Sequence, residues 1–124
     1  MIGQASFKYV RWNDIPEEPM KGGITRRLVT GDQAMIAQVM LKKGDVVPKH
    51  SHPNEQVTYI LEGALAFELG EAGEHKVIVR AGEVLVIPAD LPHSAVALED
   101  TFDLDVFAPP RQDWLNGTDA YLRG

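Results

Sequence analysis

Two histidines one residue apart, His50-Ser51-His52, carry the plainest chemistry in this chain. Side chains at i and i+2 of an extended strand leave from the same side, so both imidazoles can grip one ion. Gln56 falls on that face if the strand runs on, although Pro53 must bend the path. His93 stands far along the chain, just after Pro92 and at the start of another apolar run. Imidazole nitrogens joined by a carbonyl or carboxyl oxygen suit zinc, nickel, iron and manganese. A lone His-x-His is usually a pair of solvated residues. Here Pro48 and Lys49 precede the pair and a strand follows it, which favours a metal. A neutral imidazole can be buried there if one nitrogen coordinates and the other donates.

A second group carries charge. Asp103 and Asp105 share one strand face, alternating with Phe102, Leu104 and Val106. Turned inward, such carboxylates are expensive to bury unless paired with a cation or used in catalysis. Turned outward, they are ordinary surface, and the pattern leaves both open. Arg111 follows the rigid Pro109-Pro110 turn. It either reaches over a cavity mouth, where it can fork onto a carboxylate, or caps a C-terminal helix or pairs with Asp113. Arg26 and Arg27 are adjacent, so at most one faces a cavity. Tyr59 is expected in the core, and His75 in an exposed turn. Trp12 and Trp114 are expected to cover barrel ends or a dimer contact.

The elements that position these residues are strands. Met35 to Leu41, Val57 to Leu61, Leu65 to Leu69, Val77 to Val79 and Val84 to Ile87 alternate or are rich in β-branched residues. Gly31-Asp32, Lys43-Gly44-Asp45, Gly63, Gly70 to Gly73 and Ala81-Gly82 punctuate them as turns. Short strands so closely spaced predict a sandwich or small barrel. One helix is expected from about Arg111 to Tyr121, and an irregular arm over Trp12 to Gly23.

The chain has 124 residues, 44% hydrophobic and 24% charged, which excludes disorder and fits one domain over 1–124. Acidic residues outnumber basic ones 18 to 12, so a phosphate backbone is repelled and nucleic-acid binding is not expected. Cysteine is absent, which removes disulfides, thiolate nucleophiles and cysteine-type zinc sites. The N-terminal residues lack the apolar core of a signal peptide, and no stretch could span a bilayer; a cytoplasmic protein is expected.

The spacing of the histidines resembles the cupin family. Its first motif is matched by Gly44, five residues, His50-Ser51-His52, three residues, Gln56, six residues and Gly63. Its second is matched by Gly82, five residues, Pro88-Ala89-Asp90, two residues, His93, three residues and Ala97, with Asp90 for a glycine and Ala97 for an asparagine. The resemblance implies an all-β jelly-roll barrel with a short C-terminal helix. It also implies one divalent metal in the mouth, held by His50, His52, Gln56 and His93. Gln56 stands where glutamate is commoner. A neutral amide leaves the ion its full charge, which makes a stronger Lewis acid and a better trap for an anionic substrate. It matches the two-histidine, one-carboxylate pattern of iron oxygenases less well.

The segments HSHPNEQVTYILEG and DVFAPPRQDWL are similar to small single-domain cupins known as pectin degradation proteins, which convert 4,5-unsaturated uronates to linear keto forms. That resemblance spans roughly residues 23 to 115. The group's Asp-x-Phe-x-x-x-Arg run falls on Asp105, Phe107 and Arg111, and an early Gly-x-x-Arg position puts a substrate contact on Arg26. The expectation is a metal-dependent isomerase- or lyase-type enzyme acting on a small anionic sugar acid, with zinc or nickel favoured over iron or manganese, in a homodimer. The alternatives are a cupin oxygenase or isomerase on another small molecule, and a non-catalytic module that binds a ligand or metal.

Overall fold

The computed structural model describes residues 6–123. Ten strands follow in chain order: β1 (Glu18–Pro19), β2 (Thr25–Thr30), β3 (Met35–Leu41), β4 (Val46–His50), β5 (Glu55–Glu62), β6 (Ala64–Leu69), β7 (His75–Arg80), β8 (Val84–Ile87), β9 (His93–Ala97) and β10 (Thr101–Ala108). All pair antiparallel, in a six-stranded sheet β1-β2-β3-β10-β5-β8 and a four-stranded sheet β4-β9-β6-β7. The two sheets enclose the core as a jelly roll.

Period-two burial is clearest in β3, where Met35, Ala37, Val39 and Leu41 face inward. They meet Leu65, Phe67 and Leu69 of β6 and Ala95 and Ala97 of β9 in one apolar cluster. Fully burying each large side chain there contributes roughly 1.5–3 kcal/mol. Gly63 closes the β5–β6 turn at φ 91°, and a Cβ on it would lie 2.4 Å from the Asp100 carbonyl oxygen, so only glycine fits. Asp90, standing where the second motif has glycine, keeps the left-handed conformation at φ 68°.

Three expectations need correction. The C-terminal helix α1 covers only Gln112–Asn116, because Gly117 adopts a left-handed φ of 78° and its N–H caps the helix on the Asp113 carbonyl. The arm is less irregular than expected: Trp12–Asp14 form a 3-10 turn and β1 pairs with β2. Tyr59 is 39% exposed rather than core. On β5 the polar Gln56 and Thr58 point inward, so Val57, Tyr59 and Leu61 take the outer face.

Candidate metal centre

His50 ends β4 and pairs in register with His93, which starts β9, so the sheet itself sets these rings side by side with centroids 4.3 Å apart. The strand does not continue through His52 as the spacing suggested. After His50 the chain leaves the four-stranded sheet, turns through Ser51 to Asn54, and enters the six-stranded sheet as β5. His52 therefore arrives from the crossover, with its ring 5.5 Å from His50 and 5.0 Å from His93. One ring nitrogen from each histidine lies within 4.8 Å of the others.

Tautomers follow from the partners. The Nδ1 atoms of His50, His52 and His93 lie 2.8, 3.1 and 2.8 Å from the carbonyl oxygens of Pro48, Asn54 and Leu91. A carbonyl only accepts, so each Nδ1 carries the proton and each neutral ring keeps its lone pair on Nε2. Burial, then the neighbouring His93, depresses His50 to about 3. Burial, then Arg111, depresses His52 to about 4. Burial also lowers His93. All three rings are thus neutral at pH 7, with lone pairs available.

Gln56 completes the cluster. Its Nε2 donates to Thr58 Oγ1 at 2.9 Å, and Thr58 donates onward to Asp105 Oδ1 at 2.7 Å. The amide oxygen is left facing His52 Nε2 at 3.2 Å. Two acceptors in contact repel unless a cation lies against both. His93 Nε2 is buried with no hydrogen-bond partner, a further lone pair without a donor. Three nitrogens and one amide oxygen left in this state fit a divalent metal ion, which they could hold.

Beside the cluster lies a cavity of about 50 Å³, lined among others by Gln56, Asp103, Asp105, Phe107, Arg111 and Tyr121. The structure resolves the open orientation of the acids: Asp103 and Asp105 are only 4% and 5% exposed and point inward. Burial, then the adjacent Asp105, pushes Asp103 well above the usual carboxylate range, and its Oδ1 has no partner. Burial also raises Asp105, against the opposing pull of Asp103, Thr58 and Arg111. A carboxyl raised on folding binds more protons in the native than in the unfolded chain above pH ~4, so its contribution to stability falls as pH rises. Asp103→Asn removes that dependence. We expect the chelated variant to melt above the wild type at pH 8, with the gap closing towards pH 5; parallel curves from differential scanning fluorimetry would contradict this.

Arg111 is both a cavity wall and a paired ion. Its Nε and Nη2 fork onto Asp113 at 2.9 and 2.8 Å, and Nη2 also donates to the Tyr121 hydroxyl at 2.8 Å. Desolvation opposes its charge, but Asp113 and Tyr121 more than offset this and raise its pKa. Nη1 has no hydrogen bond among the described residues. Phe107 meets His52 edge-on at 5.8 Å and supports Trp114 at 5.0 Å. Arg26 lies elsewhere: it is absent from the cavity wall, with Nε on Glu18 at 2.8 Å and Nη1 on Asp119 at 2.7 Å. Its guanidinium sits 4.3 Å from the Trp114 ring, so two carboxylates and an indole already occupy the group expected to contact substrate. Two residues of the site escaped the sequence reading: Thr58, bonded to Gln56 and Asp105, and Tyr121 of the cavity wall. Thr58 was detectable as the residue two beyond Gln56 on the same face. Tyr121, stacked on His50 at 3.9 Å and 14°, has no local signal because the contact is made across the fold.

A jelly roll that gathers three imidazoles at its mouth is a metal-binding β-barrel domain. The chain belongs to the cupin domain family, whose model matches residues 37–108. Over 88% of this chain and 99% of the other, it superposes on KdgF from Halomonas sp. with a TM-score of 0.80 at 28% identity. Among curated proteins it is similar to 3-hydroxyanthranilate 3,4-dioxygenase: 27% identical over 101 residues to that of Bacillus thuringiensis, and 34% over 74 residues to that of Rattus norvegicus. The matches cover 80% and 59% of this chain, and the chain spans 56% of the Bacillus enzyme and 26% of the rat enzyme. The resemblance to small uronate-ketonising cupins stands beside these relatives. No helix among the described residues is long and apolar enough to cross a membrane.

Proposed function

We propose that this protein is a metal-dependent isomerase that opens and ketonises a 4,5-unsaturated uronate, with His50, His52, Gln56 and His93 as ligands to one divalent ion, zinc or nickel in preference. The observation that carries this reading is the shared cavity: a buried acid pair and a guanidinium stand against the histidine cluster. The ion would supply Lewis acidity to an enol or carboxylate oxygen. Arg111, through its unpaired Nη1, holds the substrate carboxylate. Isomerisation adds and removes no atoms. The bond from C1 to the ring oxygen breaks as the C1 hydroxyl becomes an aldehyde and its proton passes to the former ring oxygen. The resulting enol then gives up that proton while C4, the former vinylic carbon, gains one. Asp105 Oδ2 accepts the enol proton and returns it, while Thr58 keeps Oδ1 engaged and fixes the carboxyl plane. Phe107 forms the apolar wall that keeps His52 and the substrate ring apart from bulk water.

The test is the ultraviolet absorbance of 4,5-unsaturated galacturonate, whose conjugated double bond disappears on ketonisation. Loss faster with metal-loaded protein than with chelated protein is expected; equal rates would remove the uronate reading. The dioxygenase relatives favour a second reading, oxygenase chemistry on another small molecule, and iron-dependent oxygen consumption distinguishes it. The outer faces of β5 and β8 present Tyr59, Leu61, Val84 and Val86, between 36% and 58% exposed. This apolar face is the surface on which a second copy docks in the proposed homodimer. A one-chain mass in sedimentation equilibrium would refute it.

A further inference from the structure

The amide of Gln56 can present either its oxygen or its NH₂ to the histidines, and only the oxygen can ligate a cation. Nothing about glutamine itself selects the oxygen. The selection comes from Thr58 and Asp105 beside it. Asp105 and Thr58 face each other across paired strands, in register, β10 against β5. The Thr58 hydroxyl has one proton, and it goes to Asp105 Oδ1 at 2.7 Å. What remains on Thr58 Oγ1 is a lone pair, and it takes a proton from Gln56 Nε2 at 2.9 Å. The amide is thereby locked with its oxygen towards His52. Gln56, Thr58 and Asp105 are all buried, so each link of the series is made within the protein.

We infer that Thr58 is a positioning residue for the metal centre: by donating to Asp105 and accepting from Gln56, it orients the Gln56 amide so that its oxygen faces the ion. This rests on the reading that Gln56 is a ligand together with the three histidines. The arrangement also accounts for glutamine at this position. A carboxylate has no N–H to give to Thr58, whose own proton is already committed, so glutamate would leave the Thr58 oxygen facing a bare acceptor. The orienting group and the proposed proton-transfer group are therefore one connected unit.

The experiment measures affinity for Co(II) alone by competition with a chromogenic chelator, with the visible absorption of the bound ion as a second readout. Wild type, Gln56→Ala, Thr58→Val and Thr58→Ser are compared, and circular dichroism reports the fold. Thr58→Val keeps the shape and removes the hydroxyl. It is expected to weaken binding about 10–100-fold and to shift the Co(II) spectrum, while Thr58→Ser restores both, as for residues that orient metal ligands elsewhere. Wild-type affinity and spectrum in Thr58→Val would overturn the inference. So would weakened binding in Thr58→Ser equal to that in Thr58→Val, since the hydroxyl would then be irrelevant. If Thr58→Val does not fold, Thr58→Ala is read in its place on the same criteria. Failure of the underlying reading looks different: wild type that binds no Co(II), or Gln56→Ala that binds as tightly as wild type.

Discussion

Asp105→Asn is expected to reduce turnover of a 4,5-unsaturated uronate by about 10²–10⁴-fold while leaving metal affinity at the wild-type level. The separation of these two effects is the informative part. Asparagine is isosteric and still offers an oxygen to the Thr58 hydroxyl, so the series from Thr58 through Gln56 to the histidines survives. What disappears is the second carboxylate oxygen, the atom assigned to accept and return the proton. Asp103 is the poorer base of the two, because burial and the adjacent Asp105 push its carboxyl well above the usual carboxylate range. Initial rates from the loss of ultraviolet absorbance, with metal content measured on the same samples, decide the matter. Full activity in Asp105→Asn would remove this residue from the mechanism, and loss of metal would recast it as part of the ligand scaffold.

Asp119→Ala is expected to destabilise the fold by roughly 3–5 kcal/mol, the range for removing one partner of a buried ion pair. Arg26 is fully buried, and its Nη2 already lacks a partner. Without Asp119 its charge would face only Glu18, whose side chain is 40% exposed. The damage should also reach the site. Asp119 lies two residues before Tyr121, and the Leu122 carbonyl accepts from the Lys21 N–H, so this pair anchors the segment that stacks on His50. Urea titration measures the loss, and Asp14→Ala is the control, since Asp14 pairs with Arg11 where both are well exposed and should change little. A loss below about 1 kcal/mol in Asp119→Ala would mean that Glu18 alone suffices for Arg26.

Most strands could be read from alternation, because β3, β6 and β10 bury every second residue against one core. The histidines could be read from spacing, since His50 and His93 occupy fixed positions at the end of one strand and the start of its neighbour. Where the reading went astray, the usual polarity of a strand is inverted. On β5 and β10 the inner residues are Gln56, Thr58, Asp103 and Asp105, and the outer ones are Val57, Tyr59, Leu104 and Val106. Hydrophobicity alone assigns such faces backwards, and Tyr59 is the plainest case. The inversion gives these two strands a polar inner face and an apolar outer one. Arg26 illustrates another limit. The alternation allows only one of Arg26 and Arg27 to face inward, and Asp119, which engages Arg26, is brought there only by the folded C-terminal segment.

The histidine cluster straddles the sandwich. His50 and His93 belong to the four-stranded sheet, while Gln56 belongs to the six-stranded one and His52 to the crossover between them. An ion held by all four residues would thus be a removable cross-link between the two sheets of the barrel. Binding energy at that point adds to the energy needed to pull the sheets apart, about 2.7 kcal/mol when free metal stands at a hundred times its dissociation constant. The melting temperature then becomes a gauge of metal preference that needs no substrate. Ranking zinc, nickel, iron and manganese by how far each raises it would reveal which ion the cage prefers before any reaction is known.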